Sequence, residues 1–449
     1  MTPEFIFKIF LIFAFRLRVL PLLTWELSLL VLSTRLIILL RIPSVSDRGI
    51  LCLRRMRLSN LGFLLMRLRL LTLFWAVRYS SKVERGQSRP ILLFLLTGLL
   101  LTLILFFSLG DTIKIYIAFE LSVLPIFLII LGWGYQRERL GARFRLLFYT
   151  LTASIPLLIC LLWLVRFTSQ QDRRSLRVLS TCKLSTNWIL RLSVFLAFAV
   201  KLPIFGFHMW LPKAHVEAPV IGSIILAAIL LKLGSYGLYI FLPIYYFSAF
   251  NRVWVSVCLL GILPVRLLCL RLTDLKMIIA YSSVGHIGLI AASILLARNT
   301  RVAGAVFLIL AHGISSSAIF IIAFILYQSN HSRRLLLTKG ILSWRRIVSL
   351  FWFLILMANM AAPPTLNLLA EVLVIIRIRL ENKINIIIII LVILVRTGYS
   401  LIIYRSRMQG AAALRAKRTL VYVGDLLIFL NQLIWVFLPM AGLSLVFID

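Results

Sequence analysis

The chain has 449 residues, is 62% hydrophobic and has a mean hydropathy of +1.04. A soluble domain is nearer half apolar, and no soluble fold of this size has enough interior to hide that surface. The formal charge of +35 would suit a nucleic-acid binder, but the arrangement of the charge excludes one. The basic residues sit between apolar runs, at Arg137–Arg145, Arg166–Arg177, Arg298–Arg301, Arg333–Arg346 and Arg405–Arg418. Cations placed so sit at loops and helix ends, where they snorkel to headgroups and favour anionic lipid.

Residues 1–90 hold apolar runs at 5–15, 19–40 and 61–77, interrupted by arginines, and predict two or three membrane helices with a loop at 44–57. The first run lacks a small-residue cleavage site and reads as part of the mature chain. From 91 onward the runs are regular. Helices are predicted near 91–109, 113–132, 144–166, 188–206, 220–248, 252–272, 276–297, 301–328, 346–378, 382–404 and 421–447. Nearly all reach or exceed the ~20 residues that span a bilayer. Backbone amides in hydrocarbon must be paired within their own segment, and continuous apolar runs select helices over a barrel. The fold class is therefore all-α, a polytopic membrane bundle of 13–14 helices. Four regions follow: 1–90, 91–250, 251–405 and 406–449.

Two helices carry breaks. AVKLPIFGFHMWLP, 199–212, contains Pro203, Gly206 and Pro212; ANMAAPPTLNLLAE, 358–371, contains Pro363 and Pro364. Proline removes an amide donor and clashes with the carbonyl four residues back. At membrane depth such a break survives inside protein or beside a wet cavity, and paired breaks in two halves mark an ion path.

A charge at the bilayer centre costs roughly 3 kcal/mol or more, so each one present needs a reason. Glu120 lies in an apolar run and needs a cation from another helix. Lys201 and Lys232 have no acidic neighbour one turn away; a buried lysine, unlike arginine, can take and release protons. His286 and His312 lie among serines and small residues, and an imidazole can pass a proton from one ring nitrogen to the other. Glu371 follows Pro364 by two turns, and the nearest cations on its helix, Arg377 and Arg379, lie toward the helix end. These six are the expected proton-transfer residues. His208, Lys213, His215 and Glu217 form a compact secondary polar set; their spacing does not fit the H-E-x-x-H of a zinc site, and no metal is expected. Five cysteines, none in a C-x-x-C, give no cluster or disulfide framework.

The run KLPIFGFHMWLPKAHVEAPVIGSIILAAILLKLGSYGLY, 201–239, resembles the chain 4 family of proton-pumping NADH–quinone oxidoreductase, respiratory complex I. So do the glutamate with its W-G-x-Q-x-E-R loop, LRLTDLKMIIAYSSVGHIGL, AHGISSSAIF and ANMAAPPTLNLLAE. The AHVEAP…LLKLG form is similar to chain 4 rather than to chains 2 and 5. The resemblance covers about 100–405 and implies two inverted five-helix repeats, with a hydrophilic axis on the same six residues. It implies a mitochondrial inner-membrane location, membrane-arm neighbours including chains 2 and 5, and cardiolipin contact. NADH, FMN, iron–sulfur clusters and ubiquinone would belong to other subunits, and no cofactor is expected on this chain. A cation/proton antiporter subunit is the alternative. The arginine excess has no counterpart in that family.

Overall fold

The computed structural model describes 89–134, 138–168, 188–245, 248–296, 302–335, 339–344, 346–381, 384–410 and 423–437, together with Thr72. Apart from Thr72, the helices expected in the first apolar runs lie outside these residues. The helices are α1 (Arg89–Ser108), α2 (Thr112–Leu121), α3 (Val123–Trp133), α4 (Arg139–Thr168), α5 (Trp188–Lys201) and α6 (Trp210–Glu217). Next comes α7 (Val220–Ile225), which runs through a π-helical turn (Leu226–Leu230) into α8 (Leu231–Tyr245). The rest are α9 (Ser248–Arg271), α10 (Leu275–Leu295), α11 (Ala303–Asn330), α12 (Ile341–Trp344), α13 (Arg346–Asn359), α14 (Leu366–Glu381), α15 (Ile384–Met408) and α16 (Val423–Phe437). The chain is an all-α membrane bundle, with eight spans long and apolar enough to cross a bilayer among the described residues.

Burial sorts these spans into two classes. The apolar stretch of α10 is 100% buried, and those of α7–α8 and α11 are 94% buried. In α4 the share is 28%, with Phe148, Ile155 and Ile159 turned outward. The second class is exposed along one side. The first is surrounded by protein, so a polar side chain on it meets other helices rather than hydrocarbon.

Both expected breaks are present, and the backbone shows why they are tolerated. Pro203 has no N–H for the Ala199 carbonyl, and the Ile204 amide bonds it instead at 3.2 Å. That leaves the Val200 carbonyl, which accepts the Trp210 indole N–H at 3.0 Å. The region expected as one helix over 346–378 is two, α13 and α14. Here Pro363 and Pro364 withdraw two donors. The Ala362 amide reaches back to the Met357 carbonyl at 3.0 Å, Asn367 donates to Ala358, and Arg396 donates to Met360 at 2.8 Å. A side chain from beyond the break thus replaces a missing amide in each case.

The first break is seated on α8 through glycines. A Cβ at Gly234 would lie 2.9 Å from the Leu202 amide nitrogen, and one at Gly237 would lie 2.2 Å from the Phe198 ring. Gly237→Ala is expected to cost about 1–3 kcal/mol by overpacking. Gly98→Ala, with nothing within 4 Å, is expected to cause no such loss. Thermal denaturation of the purified complex carrying each change would check this.

Candidate functional site

Four of the six expected residues form one contiguous chain. Lys232, on α8, places Nζ 3.0 Å from Nδ1 of His312, on α11. The His312 and His286 rings lie 5.3 Å apart between centroids. His286, on α10, places Nδ1 3.5 Å from Oε1 of Glu371, on α14. None of the four is more than 3% exposed. The His286–Glu371 distance is long for a hydrogen bond, and neither ring nitrogen of His286 makes one.

The position of Lys232 follows from its local backbone. The π turn over 226–230 frees a carbonyl, and Nζ donates to Ala227 at 2.6 Å. Such turns recur at functional sites because the widened backbone exposes polar groups to a side chain.

Lys201 and Glu120 form a second, separate group. Nζ of Lys201 donates to the Phe119 carbonyl, near the C-terminus of α2, and lies 3.1 Å from the Phe119 ring centroid. The negative end of a helix and an aromatic face both favour a cation. Glu120 acts on Lys201 through space, without a contact ion pair. The cation on another helix that lies in the field of Glu120 is Lys201, whose Nζ is itself held by Phe119, the residue before the glutamate. From here toward α8 the contacts are rings. Phe119 stacks on Phe106 at 6.0 Å, and Phe106 meets Tyr236 at 5.6 Å, one turn along α8 from Lys232.

The partner of Glu371 is on another helix. Arg396, on α15, binds both carboxylate oxygens, with Nη2 2.7 Å from Oε2. Arg377, expected nearest, instead donates to the Leu296 carbonyl at 2.9 Å. Arg266, on α9, is also fully buried, donates to the Tyr399 hydroxyl and lies within the field of Glu371. It fits because Gly285 has no Cβ; one there would lie 2.4 Å from Nε. These two arginines correct the reading of arginine as a headgroup residue. The arginine excess itself has no structural account.

The secondary set divides. Lys213 is exposed. His208 lies in the first break, stacked on Phe205 at 5.5 Å. His215, at 0% exposure, stacks on Phe320 at 4.7 Å. Glu217 is buried beside Lys276 and Arg333. No hydrogen bond joins any two of the four. Lys276, at the start of α10, was not expected as a site residue; it donates to the Ala218 carbonyl at 3.0 Å. Its only signal in the sequence is a lysine at the first residue of the predicted span 276–297. Among the described residues, no group of three or more His, Cys, Asp or Glu could hold a metal ion.

Residues 110–397 match the family of NADH:quinone oxidoreductase/Mrp antiporter transmembrane proteins. NADH-ubiquinone oxidoreductase chain 4 of Ceratitis capitata is 40% identical over 339 residues, 74% of each chain. The Polypterus ornatipinnis protein of the same name is 41% identical over 320 residues, 70% of each. That of Aedes aegypti is 46% identical over 261 residues, 57% of each. In fold, the chain is similar to a chain of respiratory complex I from Thermus thermophilus, with a TM-score of 0.82 and 20% identity over 95% of this chain and 92% of that one. It is equally similar to a chain of an archaeal membrane-bound sulfane sulfur reductase, with a TM-score of 0.82 and 17% identity over 97% and 93%.

Lys232 and His312 share one hydrogen bond, so their effects should not add. Lys232→Met and His312→Phe, alone and combined, are expected to show an interaction of about 1–3 kcal/mol in a double-mutant cycle of thermal stability. Additive losses would show the two side chains to be independent.

Proposed function

The chain belongs to the chain 4 family of NADH-ubiquinone oxidoreductase, and from this premise we propose that its buried lysine–histidine–glutamate chain is the route by which it moves protons. It is a proton-translocating membrane subunit of that H+-translocating enzyme complex. The observation that carries the route is the succession of neighbouring buried side chains Lys232, His312, His286 and Glu371.

The steps follow from the groups. Redox chemistry belongs to other subunits, where NADH, flavin, iron–sulfur clusters and ubiquinone are bound. Energy reaches this chain as a change of charge or conformation in a neighbouring membrane subunit, with chains 2 and 5 as the flanking candidates. That change alters the field between Glu120 and Lys201. A unit charge moved 4 Å away is worth about 4 kcal/mol at an effective dielectric of 20, about a thousandfold in proton affinity. Lys201 hands its change across the aromatic group to Lys232. Lys232 gives its proton to His312, His286 receives it across the ring-to-ring step, and Glu371 releases it. Each imidazole takes a proton on one nitrogen and loses it from the other, and returns to its starting charge.

The two breaks support a division into halves, 91–250 with the Lys201 break and 251–405 with the Glu371 break. Segments 1–90 and 406–449 flank them. A mitochondrial inner-membrane site with cardiolipin at the basic loops fits the chain 4 relatives and the charge pattern.

Lys201→Ala and Glu371→Ala are each expected to abolish proton pumping coupled to NADH oxidation in sealed vesicles while the complex still assembles. A normal proton-to-electron ratio in either variant would contradict the route. A sodium requirement for transport would favour the cation/proton antiporter reading.

A further inference from the structure

The route above begins at a lysine enclosed by protein, and a proton must reach it from an aqueous surface. The start of α10, the end of α11, the turn before α4 and the end of α6 hold the titratable groups that could supply it. Glu138 lies exposed in that turn. Glu217, the last residue of α6, is 4% exposed; its Oε2 has no hydrogen-bond partner, and it lies within the field of Glu138, Arg333 and Lys276. Lys276 spans the next step, with Nζ 3.4 Å from the Val216 carbonyl and 3.0 Å from that of Ala218. A cavity of about 20 Å³ opens beside Lys276, bounded by Ser332, Arg333, Tyr327 and Arg407. That is room for about one water, at a polar site.

His215 lies two residues before Glu217 on α6, turned to the other side of the helix. Its ring is fully buried, and neither nitrogen has a hydrogen-bond partner. Both Lys276 and Lys232 act on it electrostatically, and it acts in turn on His312. A buried imidazole with both nitrogens unmatched is costly unless its polar edges serve a purpose. Stacking on Phe320, with ring centroids 4.7 Å apart, holds the ring plane.

We propose that Glu217, Lys276 and His215 form a proton-conducting branch that feeds the Lys232–His312 pair from the loop surface at Glu138. This rests on the reading of Lys232 and His312 as proton carriers. Glu217 collects a proton near the surface and passes it to Lys276, which lines the water-sized cavity. His215 binds it on one ring nitrogen and releases it from the other toward Lys232, so no group changes charge over a full cycle. The mouth is held in shape by a backbone clip. The Leu275 amide donates to the Arg333 carbonyl at 3.2 Å, and the Leu335 amide donates to that of Thr273 at 2.9 Å. Arg333 also donates to the Val216 carbonyl at 3.2 Å, tying the clip to the end of α6.

The test uses the assembled complex in sealed vesicles. His215→Phe keeps the stack on Phe320 and removes both nitrogens; Lys276→Met removes the ammonium and keeps the length. Both are expected to slow NADH-driven proton uptake by about a hundredfold and to raise its solvent deuterium isotope effect. Uptake at the normal rate with an unchanged isotope effect, in either assembled variant, overturns the branch. If His215→Phe fails to assemble, His215→Gln, which keeps polarity without a relay, gives the same reading. Lys232→Ala is measured alongside. Normal pumping there defeats the parent route, whereas loss there with normal uptake in the His215 and Lys276 variants defeats the branch alone.

Discussion

A cation buried in a membrane must be solvated by something, and here it is solvated by backbone carbonyls at irregular helix ends. Lys201 takes Phe119 near the end of α2, Lys232 takes Ala227 in the π turn, Lys276 takes Ala218 just past α6, and Arg396 takes Met360 just past α13. The carbonyl end of a helix carries partial negative charge and, unlike a carboxylate, cannot be protonated away. A lysine held so keeps a favourable site without being locked into a tight ion pair. That leaves its proton free to be passed on.

The breaks and the charges are one design. In a straight helix each carbonyl already accepts an amide, and only short side chains of the same helix, such as Ser283 to Ala280, share it. Prolines at 203, 363 and 364 and the π turn at 226–230 release carbonyls, and the released groups are met by Trp210, Asn367, Arg396 and Lys232. The bundle thereby gains a polar interior around each break. The aromatic rings of Phe106, Phe119 and Tyr236 adjoin the Lys201 group and approach Lys232. An apolar stretch of this kind suits a device in which charge on one side acts on the other through the field alone.

Much of this was legible in the sequence, because hydrocarbon makes every charge conspicuous. Lys201, Lys232, His286, His312 and Glu371 stood out as charges or imidazoles in apolar runs, and all five are buried. The prolines fixed both breaks. What the sequence could not show was pairing. Glu371 finds Arg396 through the folding of α15 against α14, a contact 25 positions away in sequence. Lys201 meets Phe119 rather than Glu120 because the backbone carbonyl at the end of α2, which no sequence pattern marks, is the nearer acceptor. His215 hid in a compact polar motif whose members turned out to face different ways. Lys276 stands at the very start of a span, where sequence alone does not separate a buried lysine from an exposed one.

The most direct test of a polar thread held open in hydrocarbon is the water it carries. Cryo-electron microscopy of the intact complex, at a resolution that shows ordered water, would read it. The account predicts density at hydrogen-bond distance from the ring nitrogens of His286 and from those of His215, linking Lys232 to Glu371 on one side and to Lys276 on the other. Apolar packing against those nitrogens, with no water between the imidazoles and their neighbours, would contradict it.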